Sequence, residues 1–205
     1  AVALGEVPDQ GAGHFAECVR ELKKQVQGVL VEVLIPDFRG DEACLRKVVD
    51  AKPDVIAHNI ETTRDMQKLV RDRRAGYEQS LHVLASVKRM GMDAKQQIYT
   101  KSSIILGMGE KEEDVLETMD DLRAVGCDVL TMGQYLRPTS VQMAVAEYVP
   151  PEKFERLKRE AEAKGFAYVA AGPFVRSSYK AGELFIKNVL RKQRGNDEDV
   201  AAVTR

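Results

Sequence analysis

Residues 103–132 read SIILGMGEKEEDVLETMDDLRAVGCDVLTM, and this stretch decides the fold class. Ser103–Leu106 is a short apolar run rich in β-branched side chains. Val115, Leu116, Met119, Leu122 and Val125 then recur at the three- and four-residue spacing of one helix face. Gly126 follows as a stop signal, and Asp128–Met132 opens a second apolar run. Strand, helix and strand joined by short connections form a parallel βαβ unit, and strands with little alternation are buried on both faces.

Working outward, Val29–Ile35, Asp54–Ile60 and Phe166–Ala170 have the same strand character. Helical stripes lie between them: Phe15, Cys18, Val19, Leu22 and Val26; Cys44, Leu45, Val48 and Val49; Tyr77, Leu81, Leu84 and Val87. Two helices, Thr62–Arg71 and Tyr77–Met90, fall between the second and third strands. Pro150 and Pro151 start a helix carrying Phe154, Leu157 and Ala161, which Gly165 ends. A last helix holds Leu184, Phe185, Val189 and Leu190. Residues 1–191 read as one α/β unit without a linker. Residues 192–205, with Asp197, Glu198 and Asp199 together, read as a disordered charged tail. Five strands do not close an eight-stranded barrel, and the pattern leaves a doubly wound sheet and a partial (β/α) barrel both open.

Composition narrows the function. Of 205 residues, 44% are hydrophobic and 31% charged, which is globular and not disordered. A net charge of -1 lacks the basic excess that a nucleic-acid binder needs. No apolar run approaches the roughly 18–20 residues of a membrane helix. Cys18, Cys44 and Cys127 are too few and too scattered for a disulfide framework.

In parallel α/β folds chemistry collects at the C-terminal ends of strands. Here those ends are Pro36–Asp41, His58–Thr62, Gly107–Glu110, Gly133–Pro138 and Gly172–Tyr179, each polar or glycine-rich. Asn59 and Glu61 are two apart and should share one strand face with Val55 and Ala57. His58 points the opposite way, packed between strand and helix, as does His82 on its helix. Asp41 and Thr62 also fit as helix N-caps. Gly107-Met108-Gly109 is a weak phosphate-cradle signal. Ser177 and Ser178 fit either a helix cap or a site.

Taken together, six motifs in order resemble lipoyl synthase, a radical-SAM family. They are Pro8–Phe15 (PDQGAGHF), Pro36–Asp41 (PDFRGD), Ala57–Thr62 (AHNIET), Leu106–Glu110 (LGMGE), Met132–Pro138 (MGQYLRP) and Gly172–Glu183 (GPFVRSSYKAGE). The resemblance implies a partial (β/α) barrel, S-adenosylmethionine and two [4Fe–4S] clusters. It implies reductive cleavage of S-adenosylmethionine to a radical that abstracts hydrogen from C6 and C8 of an octanoyl group carried on a protein lysine. An auxiliary cluster would supply the two sulfur atoms. The implied partners are octanoylated carrier proteins (the E2 of 2-oxoacid dehydrogenases and the glycine cleavage H protein) and an electron donor. The implied location is a mitochondrion or plastid.

Carried over by motif, Asn59 and Glu61 face the S-adenosylmethionine pocket. Lys101, just before the third strand, meets the methionine carboxylate. Gly107, Gly109 and Glu110 line the adenosine, and Gln134 and Arg137 orient cofactor or substrate. Ser177, with Ser178 as the alternative, gives an oxygen ligand to the auxiliary cluster. The family's cluster-binding cysteine triplets have no counterpart among Cys18, Cys44 and Cys127. The resemblance therefore implies that those triplets and the first barrel strands belong upstream of this sequence, and that this chain alone is inactive and holds neither cluster. After Pro138, Ser140-Val141-Gln142 also departs from the basic residues and histidine usual in the family.

Overall fold

Five strands pair in chain order into one all-parallel sheet: β1 (Glu32–Leu34), β2 (Val55–Ala57), β3 (Tyr99–Leu106), β4 (Val129–Gln134) and β5 (Tyr168–Gly172). These assignments come from a computed structural model, which describes residues 7–178. The strand order advances in one direction. It lacks the reversal of a doubly wound sheet and matches a segment of a (β/α) barrel. The connections carry α2 (Glu42–Asp50), α3 (Gln67–Val70) and α4 (Tyr77–Asp93), then α5 (Glu112–Ala124) and α6 (Pro151–Ala163), while α1 (Ala12–Gln25) precedes β1.

One face of the sheet is covered by helices. Ile104, Leu106, Leu130 and Met132 pack there with Met119, Leu122, Phe154 and Leu157. Beside them Ile56 packs with Leu45, Val48, Val83 and Val87. The opposite face has a much smaller apolar cluster of Val55, Tyr99 and Val129, flanked by Leu30 and Tyr168. On that inner face Lys101 is 1% exposed, and its Nζ lies 2.6 Å from Glu32 Oε1.

Four expectations need correction. Lys101 lies within β3, not before it. The strand starts at Tyr99 because Asp128 accepts hydrogen bonds from the Thr100 amide (2.7 Å) and hydroxyl (3.2 Å), and also pairs with Lys88 (2.6 Å). The helix expected over Thr62–Arg71 shrinks to Gln67–Val70, and Thr62 is a buried residue that caps nothing. On α1 the buried side chains are Ala12, Ala16 and Val19, while Cys18, Leu22 and Val26 are exposed. Small alanines give α1 the close approach to its neighbours that the larger residues would block. His82 is half exposed on α4 near Glu42, not packed under the helix.

Other signals hold. Asp41 caps α2 by accepting from the Ala43 amide at 2.8 Å. Gly126 and Gly165 follow α5 and α6 in the left-handed conformation. The last helix and the tail 192–205 lie outside the described residues.

Candidate active site

The cleft sits over the C-terminal strand ends on the inner face. Its volume is about 290 Å³. Asn59, Glu61, Ser103 and Ile105 form one side of its lining, and Gly133, Val175, Arg176 and Ser177 form another.

The end of β2 is bulged. Ala57 pairs with Lys101, but it is Glu61, not Ile60, that bridges to Ile104. The Glu61 amide donates to Ser103 O (3.0 Å) and Glu61 O accepts from the Ile105 amide (2.8 Å), so one extra residue has been inserted. The Ser102 hydroxyl accepts from the bypassed Ile60 amide at 3.0 Å. Glu61 adopts φ 69°, in the left-handed region. The alternation expected from sequence therefore breaks between Asn59 and Glu61, yet the bulge turns both toward the same cleft.

Behind Asn59 a hydrogen-bonded chain fixes the backbone. His58 Nδ1 lies 3.1 Å from Ile35 O and Nε2 lies 2.9 Å from Ser80 Oγ, which accepts from Arg71 at 2.9 Å. A carbonyl can only accept, so neutral His58 donates through Nδ1 and takes the Ser80 proton at Nε2. Burial lowers the His58 pKa; the Ile35 carbonyl opposes this and the Arg71 charge adds to it. Arg71 also borders a second cavity of about 380 Å³ with Asn59 and Glu61. Burial raises the Glu61 pKa, while a hydrogen bond from Asn59 and the Arg71 charge pull it back.

The expected site residues separate into two groups. Asn59, Glu61, Gln134 and Ser177 border the cleft. The Gln134 amide, however, is bonded to backbone: it donates to Tyr135 O and Glu147 O (both 3.0 Å) and accepts from the Val149 amide (2.9 Å), pinning the loop after β4. Lys101 lies one layer beneath the cleft, paired with Glu32. Gly107 and Gly109 lie outside the lining, in a turn whose Glu110 carboxylate accepts from the Gly107 (2.6 Å) and Met108 (2.9 Å) amides. Arg137 is exposed and donates to Gln142 O at 2.8 Å within its own loop. Ser178 is exposed beside half-buried Ser177. Sequence reasoning missed Ser103 and Arg71. Ser103 was legible, because it alternates with Lys101 and Ile105 on one face of β3.

Two observations test which cofactors the residues fit. Asn59 Oδ1 is buried without a hydrogen-bond partner among the described residues, an acceptor left for a polar ligand in the cleft. That fits a ligand with a hydrogen-bond donor, as S-adenosylmethionine has. The iron–sulfur clusters do not fit. Among the described residues no group of three or more His, Cys, Asp or Glu converges as metal ligands. Cys18 is exposed, whereas Cys44 and Cys127 are buried apart, with the Cys127 thiol pushed up to about 12 by burial. Cluster ligation needs converging thiolates.

Residues 4–122 match the family model described as the Radical SAM superfamily. The chain belongs to that superfamily. It is 55% identical to a lipoyl synthase of Halobacterium salinarum over 97% of this chain and 62% of that protein. It is 52% identical to a chloroplastic lipoyl synthase of Sorghum bicolor over 95% of this chain and 52% of that protein. The chain thus spans half to three-fifths of the length of these relatives. Among solved structures, methylornithine synthase superposes with a TM-score of 0.57 at 13% identity, covering 77% of this chain and 51% of that one, which supports the barrel-type fold alone.

Proposed function

We propose that this chain forms the S-adenosylmethionine-facing part of a lipoyl synthase, which inserts two sulfur atoms at C6 and C8 of a protein-bound octanoyl group. The observation that carries the reading is the bulged end of β2, which turns Asn59 and Glu61 into one cleft with Ser177. The extent of similarity to lipoyl synthases supports it. S-adenosylmethionine, when bound and reduced, supplies the power to abstract hydrogen from an unactivated chain. The residues of this chain bind and orient. Asn59 Oδ1 accepts a hydrogen bond from the ligand, and Glu61 accepts from ligand hydroxyl or ammonium groups. Ile105, Val175 and Leu136 exclude water from the reacting chain. In the complete enzyme Ser177, with Ser178 the alternative, would give one oxygen ligand to an auxiliary cluster whose thiolate ligands the described residues do not supply. The carriers remain the octanoylated E2 and H proteins, and the chloroplastic relatives favour a plastid setting. Among the described residues no helix is long and apolar enough to cross a membrane.

A second reading, a chain that binds carrier proteins without catalysis, is favoured by the lack of converging cysteines among the described residues. One experiment separates the two. The chain is joined to the N-terminal part of the Halobacterium salinarum relative, reconstituted anaerobically, and assayed for 5′-deoxyadenosine and lipoyl product on octanoylated H protein. Both products are expected, and Ser177→Ala should keep the first and lose the second. A soluble chimera that cleaves S-adenosylmethionine and never forms lipoyl product would sink the sulfur-insertion reading.

A further inference from the structure

The segment Arg64–Arg74 (RDMQKLVRDRR) carries five cations against Asp65 and Asp72, in a chain whose net charge is -1. It follows β2 directly and so stands on the rim of the cleft. Its inward side chains are committed. Gln67 Nε2 donates to Ile60 O (3.0 Å) and Thr62 O (2.8 Å), and Arg71 donates to Ser80. These bonds tie α3 to the bulge that presents Asn59 and Glu61. Arg64 pairs with Glu78 and with Asp121 and stacks 4.4 Å over Tyr77, and Arg74 pairs with Asp72.

The outward side chains are not committed. Lys68 and Arg73 are exposed, and among the described residues neither forms an ion pair with a carboxylate. Leu69, next to Lys68, is 70% exposed. Lys68 and Arg73 border a shallow concavity of about 350 Å³ with Arg64 and Tyr77, in which the carboxylates of Glu78 and Asp72 are already paired with Arg64 and Arg74; Leu69 stands outside its lining. Two cations without a carboxylate partner and an exposed leucine beside them, on a segment bonded through Gln67 to the end of β2, are the elements of a small protein dock: an apolar contact next to charged groups. Phosphate tracking would instead call for a longer basic stripe free of Asp65 and Asp72.

We propose that Lys68, Leu69 and Arg73 dock an acidic face of the protein that carries the acylated lysine, holding it beside the cleft while the lysine arm enters. This inference rests on the proposed function, because it takes the substrate to be protein-bound. Rim charges act mainly on encounter rate and salt dependence, and the leucine acts on residence time.

The test titrates this chain with octanoylated H protein and, separately, with a short neutral octanoyl-lysine peptide. Measurements are made at about 50 mM and about 300 mM salt, across which exposed charge pairs become screened. Lys68→Glu combined with Arg73→Glu is expected to weaken H-protein binding roughly tenfold or more at low salt and to flatten its salt dependence, with the peptide unaffected. Leu69→Ser should raise the off-rate without changing the salt dependence. Circular dichroism checks that each variant keeps its fold. H-protein binding unchanged by the charge reversal overturns the dock and leaves the lipoyl reading standing. Competition by single-stranded DNA at the same residues overturns it in favour of a polyanion site. Wild-type chain that binds neither H protein nor peptide overturns both readings.

Discussion

The two faces of β3 are buried to a similar degree and each mixes polar with apolar side chains, Thr100, Ser102, Ile104 and Leu106 toward the helices and Tyr99, Lys101, Ser103 and Ile105 inward, but the charge, Lys101, lies inward. Ile104 and Leu106 face the helices and are enclosed by apolar side chains. Lys101 and Ser103 face inward and are also buried, but one is a cation and the other a hydroxyl. Burial of the first kind is favourable wherever it occurs. Burial of the second kind is unfavourable unless each group has a partner. A strand that carries both kinds can be perturbed one residue at a time, and the buried inner cation is where a lost partner matters most.

The largest effect is expected at the Lys101–Glu32 pair. Glu32→Ala leaves an ammonium in a site 1% open to water and should cost about 3–5 kcal/mol, read by urea denaturation. Lys101→Met leaves only Glu32, whose side chain is 27% exposed, and should cost much less. Equal losses in the two variants would mean that water reaches Lys101 and that the inner face is not a dry floor.

A smaller effect is expected at Gly133, where β4 passes under the loop after β5. A Cβ there would run into the Val175 carbonyl, a backbone atom that cannot rotate away. Gly133→Ala should cost about 1–3 kcal/mol and displace Val175–Ser177 from the cleft. The check is thermal unfolding together with S-adenosylmethionine binding by calorimetry. Unchanged values for both would separate the β5 loop from the site.

The smallest effects are those of pH, and two neighbours slope in opposite directions. The raised Glu61 pKa means that the folded chain holds its proton longer than the unfolded chain. This group therefore lowers stability as pH climbs from about 4.5 through its raised value. The lowered His58 pKa does the reverse: stability is lost as pH falls below about 6.5, where the unfolded imidazole takes up a proton that the buried one refuses. Glu61→Gln should flatten the first slope and weaken S-adenosylmethionine binding. His58→Asn should flatten the second and leave the first. A Glu61→Gln or His58→Asn profile with the same slope as wild type in its window would contradict the burial of that group; Asp9, Asp41, Glu42 and Asp72, whose pKa values are lowered, contribute equally to both profiles.

Much of the fold was legible because its signals are local. Gly126, Gly165 and Pro151 mark helix ends through conformations that neighbouring residues cannot alter. The misread strand start and helix face depend on distant partners. The third strand was read from Ser103, whereas it starts at Tyr99, because the acceptor at Asp128 and the counter-charge at Glu32 lie far away in sequence. The α1 stripe was assigned to its large residues, whereas packing selected Ala12 and Ala16. At the site, the motif set Asn59 and Glu61 side by side, and the structure brings both to the cleft. The reason they meet was not legible, since an inserted residue shows only in the pairing with β3. Gln134, Glu110 and Arg137 carry the polar groups of a site in sequence but bond to nearby backbone in the fold.

The bulge also leaves a spectroscopic handle. The Ile60 amide proton is held by the Ser102 hydroxyl, while its flanking amides at His58 and Glu61 are held by main-chain carbonyls of β3. Solvent exchange at His58 and Glu61 therefore waits for the sheet to part, whereas exchange at Ile60 needs the loss of one side-chain bond together with water entry past Ile60 and Ser102, both 0% exposed. A single deuterium label at Ile60 would thus act as a clock for the cleft's own motion, running apart from the unfolding of the sheet that supports it.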